Sequence, residues 1–353
     1  MRPEGLEAVM QRVPQLKWAV LSWSRPFFVS LQSQSRYTAA HGAFEMVQYQ
    51  DQIKAENGVD AGELGFELTE SSLILVDYIA PPAAISDYVT TLYHFRCDEA
   101  KIRDVQPASV GHLAIFPRGK GEMHFRDGHR DPNPEIAMMT PLSTANPIVV
   151  DGPFHVVGAA LTPLGWASLT GLHAGEHRDR LREAREILGD DVVALGERLN
   201  DGYRSGTISG HECALALAEF IGTKVKPINS RHAELIKVVN TWLGSSLNPD
   251  LSDLLERAAY SERQVQRLTE RYFGLSPQAL ARKYRALRAA ALLSFPSLTP
   301  EFEAELGDAF FDQSHMIREI NRFVGRTPAR LRDTDSPYLS EMIDPKNLRE
   351  LGG

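Results

Sequence analysis

The sequence predicts an α+β chain: a β-rich N-terminal domain of roll or barrel shape with helices following it, then an all-α domain in which a long helix joins two helix-turn-helix units. Three observations predict it. With 353 residues, 43% hydrophobic and 24% charged, the chain is long enough for two cores. From Phe66 to about residue 165 the apolar residues come in short runs set off by Pro, Gly and Asp. From Leu251 to Arg332 one helical unit is written twice, 51 positions apart.

Residues 1–60 mix Trp18, Trp23, Phe27 and Phe28 with many Gln and Ser and show no firm period; 16–31 reads as a strand pair broken at Pro26. Six strands are then expected at 72–76, 88–95, 110–116, 122–125, 148–150 and 155–161. Loop clusters such as Pro117-Arg118-Gly119 and Arg130-Asp131-Pro132-Asn133-Pro134 separate them. Many short strands with frequent turns indicate a sandwich or barrel. Inward candidates are Tyr93, Phe95, Ile115, Phe116 and Phe125, with His94, His112 and His124 as polar neighbours. Tyr93, His94, Phe95, His112, Phe116 and His124 are the candidate ligand-binding residues. They suit a small, mostly apolar effector with one or two hydrogen-bonding groups; the alternative is that they simply fill the core.

Amphipathic helices are expected at 178–188, 192–199 and 212–221, and a linker at 224–230 around Pro227. A helix at 232–243 opens the second domain. The expected division is therefore 1–165, with 1–60 as an extension, then 166–225, 226–335 and a tail at 336–353.

In the repeat, Ser261 falls on Asp312, Val265 on Met316, Arg267 on Arg318, Tyr272 on Phe323, Gly274 on Gly325 and Ser276-Pro277 on Thr327-Pro328. Each copy has a polar N-cap, an apolar-periodic helix, a Gly suited to the left-handed C′ conformation, and a Ser/Thr-Pro pair that opens the next helix. Shorter helices are expected just upstream, at 252–258 and 299–306, which makes each copy a helix-turn-helix. In the first, Val265, Leu268 and Tyr272 form the buried stripe and Arg263, Gln266 and Arg267 share the opposite face. In the second, Met316, Ile320 and Phe323 are buried while Gln313, Ser314, Ile317 and Arg318 face outward. Arg and Gln make bidentate contacts to guanine and adenine edges, and an exposed Ile suits a thymine methyl. Glu262 complements the helix dipole and Asp312 reads as a cap.

This segment resembles the DNA-binding domain of AraC/XylS transcription regulators. The residues that carry the resemblance are Ser261-x-x-x-Val265-x-Arg267, Gly274-x-Ser276-Pro277, Phe310-Phe311-Asp312-Gln313-Ser314-His315 and Gly325-x-Thr327-Pro328, within roughly the last 110 residues. The chain departs from the family where the two helices of each unit touch, with Leu255 and Glu305 in place of small residues, and in each turn, with Ala259 and Ala309 in place of Gly. Glu305 and its acidic neighbours lead us to expect the first unit to dominate specificity. The N-terminal part loosely resembles the cupin-like sensor domains that precede such DNA-binding domains, through its strand rhythm, the Phe116-Pro117 turn and Thr162-Pro163-x-Gly165-Trp166.

The resemblance implies a sequence-specific regulator, not an enzyme, that reads two successive major grooves of double-stranded DNA with Arg263, Gln264, Gln266, Arg267, Arg271, Gln313, Ser314, His315, Ile317, Arg318 and Arg322. The helix at 277–293 separates the two readers; seventeen residues at ~1.5 Å each span roughly 25 Å. RNA polymerase is the protein partner it implies. A small-molecule effector and a homodimer through 178–221 are further expectations, and activation against repression stays open.

The net charge of −8 is unevenly spread: from Arg257 to Arg288 there are eight basic and two acidic residues, and from Arg318 to Arg332 five and one. That basic charge lies on the reading and linking helices, where phosphate contact is expected. Cys97 and Cys213 alone give no disulfide framework and fit a reducing cytoplasm, and no run of ~18 apolar residues spans a membrane. No cofactor motif is present. His173-x-x-x-His177 lacks the full metalloprotease arrangement, and His112, His124, His129 and His155 lack close metal-ligand spacing. A metal-dependent cupin-like enzyme fused to a DNA-binding domain remains the alternative, without an assigned metal site.

Overall fold

The computed structural model describes residues 73–294 and 299–331. The strand pair expected at 16–31 and the tail at 336–353 lie outside the described residues. Alternating apolar positions produce strands β1 (Ile74–Ile79), β2 (Val89–Cys97), β3 (Lys101–Gln106), β4 (His112–His124), β5 (Arg130–Pro132), β6 (Ile136–Met139) and β7 (Asn146–Leu161), with β8 (Leu181–Glu183) later at an edge. All pair antiparallel in the order β1-β2-β7-β4-β6-β8, while β3 adds to β7 and β5 to β4.

Two expected pairs of strands are single long ones. Pro117-Arg118-Gly119 marks a bend in β4, not its end, because the pairing of β4 with β7 shifts register between Ile115 and Arg118 and again before Lys120. Irregularities of this kind bend a strand while keeping it paired. The first half of β7 pairs with β3 and the second half with β2. β5 falls in a stretch read as loop, and the expected helix at 178–188 divides into β8 and the short helix α3 (Arg185–Leu188). β5 closes a local hairpin on the end of β4, with His124 opposite Arg130, whereas β8 is held by a partner distant in sequence, Met139 opposite Leu181.

Side-chain alternation sorts the sheet's two faces. Leu92, Leu113, Val157 and Leu161 pack against Trp166, Val192, Leu199, Leu217 and Ile221. The helices they meet are α1 (Pro163–Thr170), α4 (Asp190–Ser205) and α5 (Gly210–Lys224), with α2 (Ala174–His177) between the sheet and β8 in sequence. The opposite face gathers Phe95, Ala114, Val150, Phe154 and Val156.

The helical part comprises α6 (Ser230–Gly244), α7 (Leu251–Arg257), α8 (Glu262–Phe273), α9 (Pro277–Leu293), α10 (Pro300–Ala309), α11 (Gln313–Val324) and α12 (Pro328–Leu331). The sequence signals set its boundaries: Ser276 caps α9 with Pro277 at its first turn, Asp312 caps α11 through the His315 N–H at 2.6 Å, and Gly274 and Gly325 end α8 and α11 in the left-handed region. Leu235, Val239, Trp242, Val265, Leu268, Leu287, Ile320 and Phe323 share one core.

The helical part meets the sheet along α9 and the C-terminal ends of α8 and α11. Lys283 of α9 donates to the carbonyls of Ser109 at 2.8 Å and Leu142 at 3.0 Å. The Ala108 and Ala145 N–H groups donate to Phe323 and Arg322 carbonyls at 2.8 and 2.9 Å. Arg326 and Asp104 form a buried ion pair, and Arg178 donates to the Gly274 carbonyl at 3.0 Å.

Candidate nucleic-acid interface and interior cavity

In α8 the apolar residues Val265, Leu268 and Tyr272 are buried, so helical spacing leaves Arg263, Gln264, Gln266 and Arg267 exposed. Arg263 and Arg267 have no hydrogen-bond or ion-pair partner among the described residues. Gln264 is partly used: its side-chain carbonyl accepts from the N–H and hydroxyl of Ser261, closing a capping box at 3.2 and 3.0 Å. Arg271 is half-buried and lies over the Tyr272 ring, 5.8 Å from its centre. The outward cluster is thus Arg263, Gln266 and Arg267, with Gln266 at 3.5 Å from the Glu270 carboxylate.

In α11, Gln313, Ser314, Arg318 and Arg322 are exposed. Ile317 is half-buried rather than fully outward. His315 turns inward, with its Nε2 3.3 Å from Glu319 Oε1 and its ring edge-on to Phe310. The cause is Glu319, buried between α11 and α9, whose two oxygens take Arg282 at 2.6 Å and Arg285 at 2.6 and 3.1 Å. Burial alone would raise the Glu319 carboxyl, but the hydrogen bonds and charges of Arg282 and Arg285 outweigh it and hold the pKa below the ordinary value. Glu305, unusual for a helix contact, finds a role as acceptor for the Leu247 N–H at 3.1 Å.

The charge of the linking helix is used differently from the sequence expectation. Lys283, Arg285 and Arg288 are buried. Lys283 reaches carbonyls of the sheet, Arg285 reaches Glu319 and Asn248, and Arg288 donates to the carbonyls of Leu243 and Ser246. Buried cations need such acceptors, so these three bind the fold together rather than face phosphate.

Between the inner face of the sheet and α9 lies a cavity of about 140 Å³. Tyr93, Phe95, His112 and Phe116 line it, together with Tyr284 and Leu287 of α9. His94 and His124 do not. Alternation along β2 turns Tyr93 and Phe95 inward and His94 outward, where its Nε2 stands 2.8 Å from the Tyr203 hydroxyl of α4. His124 ends β4 beside Glu122 at 2.6 Å. Ile115 packs toward the helices and Phe125 into a separate cluster with Leu142. The cavity's polar pair is His112 Nδ1 and Tyr93 Oη, 3.1 Å apart. Burial, helped by Lys283, pushes His112 down to about 3, so its imidazole is neutral at physiological pH. Sequence reasoning missed the α9 wall: Tyr284 and Leu287 carried an apolar stripe, but a Lys in that stripe reads as solvated.

The four sheet histidines do not converge. His112 meets Tyr93, His124 meets Glu122, His129 stacks on Phe125 at 4.6 Å, and His155 lies between Tyr203 and Asp98 at 2.6 and 2.9 Å. His173 is the N-cap of the four-residue α2 and His177 its last residue, with Glu176 4.0 Å from His173. Among the described residues no three His, Cys, Asp or Glu side chains stand close enough to hold a metal, and no helix is long and apolar enough to cross a membrane.

Two capped helix-turn-helix units with exposed Arg and Gln on their second helices define a DNA-binding module. Residues 254–334 match the helix-turn-helix domain family, so this C-terminal part of the chain is a helix-turn-helix domain. No curated protein matches the chain significantly. Among solved structures, ToxT from Vibrio cholerae is 11% identical, with a TM-score of 0.40 over 68% of this chain and 96% of that one. ToxT of strain SCE256 with bound unsaturated fatty acid is 10% identical, with a TM-score of 0.40 over 74% and 95%. The AraC-like transcriptional activator CuxR is 11% identical, with a TM-score of 0.26 over 62% and 87%. At such scores the fold rests on the chain's own strands and helices and on the domain match.

Proposed function

We propose that the protein reads two successive major grooves of its operator with α8 and α11, under the control of a small, mostly apolar effector held in the cavity against α9. The observation that carries the first part is the set of Arg263, Arg267 and Arg318, exposed and without a partner among the described residues, on the outer faces of α8 and α11. Seventeen residues in α9 span roughly 25 Å at ~1.5 Å each, and the reading helices add the reach to grooves about 34 Å apart. Gln266, Gln313 and Ser314 supply further hydrogen bonds, while Ile317, Arg271 and Arg322 border the contact and His315 supports it from behind.

The test is an operator selected from random duplexes, with Arg263→Ala and Arg267→Ala measured on cognate and random DNA at one salt concentration. Each substitution is expected to cost about 1–3 kcal/mol of discrimination. Equal weakening on both duplexes would assign these residues to phosphate instead. For the effector, the neutral Tyr93–His112 pair in an apolar chamber favours a ligand with one or two hydrogen-bonding groups. A metabolite screen by thermal unfolding reads it, since a ligand at 100-fold its Kd stabilises by about 2.7 kcal/mol.

A further inference from the structure

The hairpin between β4 and β5 brings to the second reader a positive charge that the helix-turn-helix alone does not supply. Its tip begins at Phe125, buried in a cluster with Met123, Met139 and Leu142 and covered by His129. The loop that carries Leu142 continues to Ala145, whose N–H binds the Arg322 carbonyl in the last turn of α11. Arg126 follows Phe125 in this tip, which packs on the loop bound to that turn, and its charge is among the causes, after burial, that lower the Arg322 guanidinium pKa. Arg126 is exposed and has no hydrogen-bond or ion-pair partner among the described residues. Its neighbour Asp127 pairs with His129, and Glu319 is shared among Arg282, Arg285 and His315. Arg318 lies one helical turn before Arg322 and is exposed as well. Like charges held together cost energy unless an anion sits between them, and a guanidinium fork matches a phosphate.

We infer that Arg126 contacts the DNA backbone, so that the sheet domain itself extends the phosphate track of α11. The inference rests on the two-groove reading and adds that the sheet stays docked on α11 in the DNA complex. A backbone contact carries charge but no base information. Removing it should weaken all duplexes alike and lower the dependence on salt.

The experiment compares the full-length chain with Arg126→Ala and Arg126→Glu on the selected operator and on a random duplex, from low to physiological salt. Unchanged thermal unfolding would verify that the exposed tip tolerates the change. Both affinities should fall by the same factor in Arg126→Ala, and further in Arg126→Glu. The slope of log affinity against log salt should shrink by about 0.9 in Arg126→Ala. Affinity and slope equal to wild type would overturn the inference, and so would a loss confined to the operator. Arg267→Ala in the same titrations separates the two ideas: if it leaves discrimination intact while Arg126→Ala still lowers affinity and slope, base reading by α8 fails and the backbone contact stands. A wild-type chain that binds neither duplex overturns both.

Discussion

Glu319 joins α11 to α9, because Arg282, Arg285 and His315 all close on its carboxylate. Removing one member of a buried ion pair strands the other charge, so Glu319→Ala should destabilise by about 3–5 kcal/mol. Replacing Glu319 and Arg285 together by apolar residues should recover part of that. Urea unfolding decides; a loss below about 1 kcal/mol in the single variant would show that the network adds little. The buried histidines predict a pH dependence with a definite sign. Burial lowers His112 to about 3, and burial with Arg96 lowers His94 to about 4, from the ordinary 6.5. Between those values the unfolded chain binds protons that the native chain refuses, so stability is full above 6.5 and falls as the pH drops toward 4. Glu319, held below its ordinary value, acts in the same direction at lower pH: its contribution is lost as pH falls through the native value. His112→Gln should flatten the acid limb between pH 6.5 and 4; an unchanged slope would mean that His112 is not neutral in the native state.

Helices α8 and α11 end alike but stand in different surroundings. Gly274 and Gly325 both adopt left-handed backbone, φ +84° and +77°. A Cβ on Gly274 would meet nothing nearer than 3.6 Å, whereas one on Gly325 would lie 2.2 Å from Val105 Cγ1 in the sheet. Gly274→Ala should cost about 1–2 kcal/mol from backbone strain alone. Gly325→Ala should cost more, because it must also push the sheet away from α11. Equal losses in paired thermal melts would mean that this contact yields freely. The contrast shows what was legible in the sequence. Caps, glycine stops, the stripes of α8 and α11 and the Ser-Pro start of α9 are local signals and placed those helices closely. The bend that fuses two expected strands into β4 depends on β7, and the three-residue β8 depends on a partner far along the chain, while β5 sits in a Pro- and Asp-rich stretch that reads as loop although it pairs locally with β4. Alternation could have turned His94 away from Tyr93, since neighbours on a strand face opposite sides. The burial of Lys283, Arg285 and Arg288 had no such signal: only the acceptors that the fold brings to them distinguish these cations from a solvated face.

The cavity and the two helix-turn-helix units share one structural member, because Tyr284 and Leu287 wall the cavity from α9, the helix that spaces α8 from α11. A ligand changes DNA affinity only if it binds the DNA-competent arrangement with a different affinity from the alternative, and DNA must then change ligand affinity by the same factor. The Asp104–Arg326 pair is the buried lock between sheet and second unit, and it lends itself to a test that separates coupling from folding. Asp104→Leu or Arg326→Leu alone should each lose about 3–5 kcal/mol, while the double variant, with no charge stranded, should stay much nearer to wild type. If the lock transmits the ligand's effect, the double variant should bind DNA with altered affinity and lose most of the mutual effect of ligand and DNA while retaining each ligand's own binding. Titrating ligand with and without operator DNA measures that effect directly. A double variant with wild-type DNA affinity and undiminished coupling would move transmission away from this pair, leaving the Lys283 bonds to Ser109 and Leu142 as the next contacts to cut.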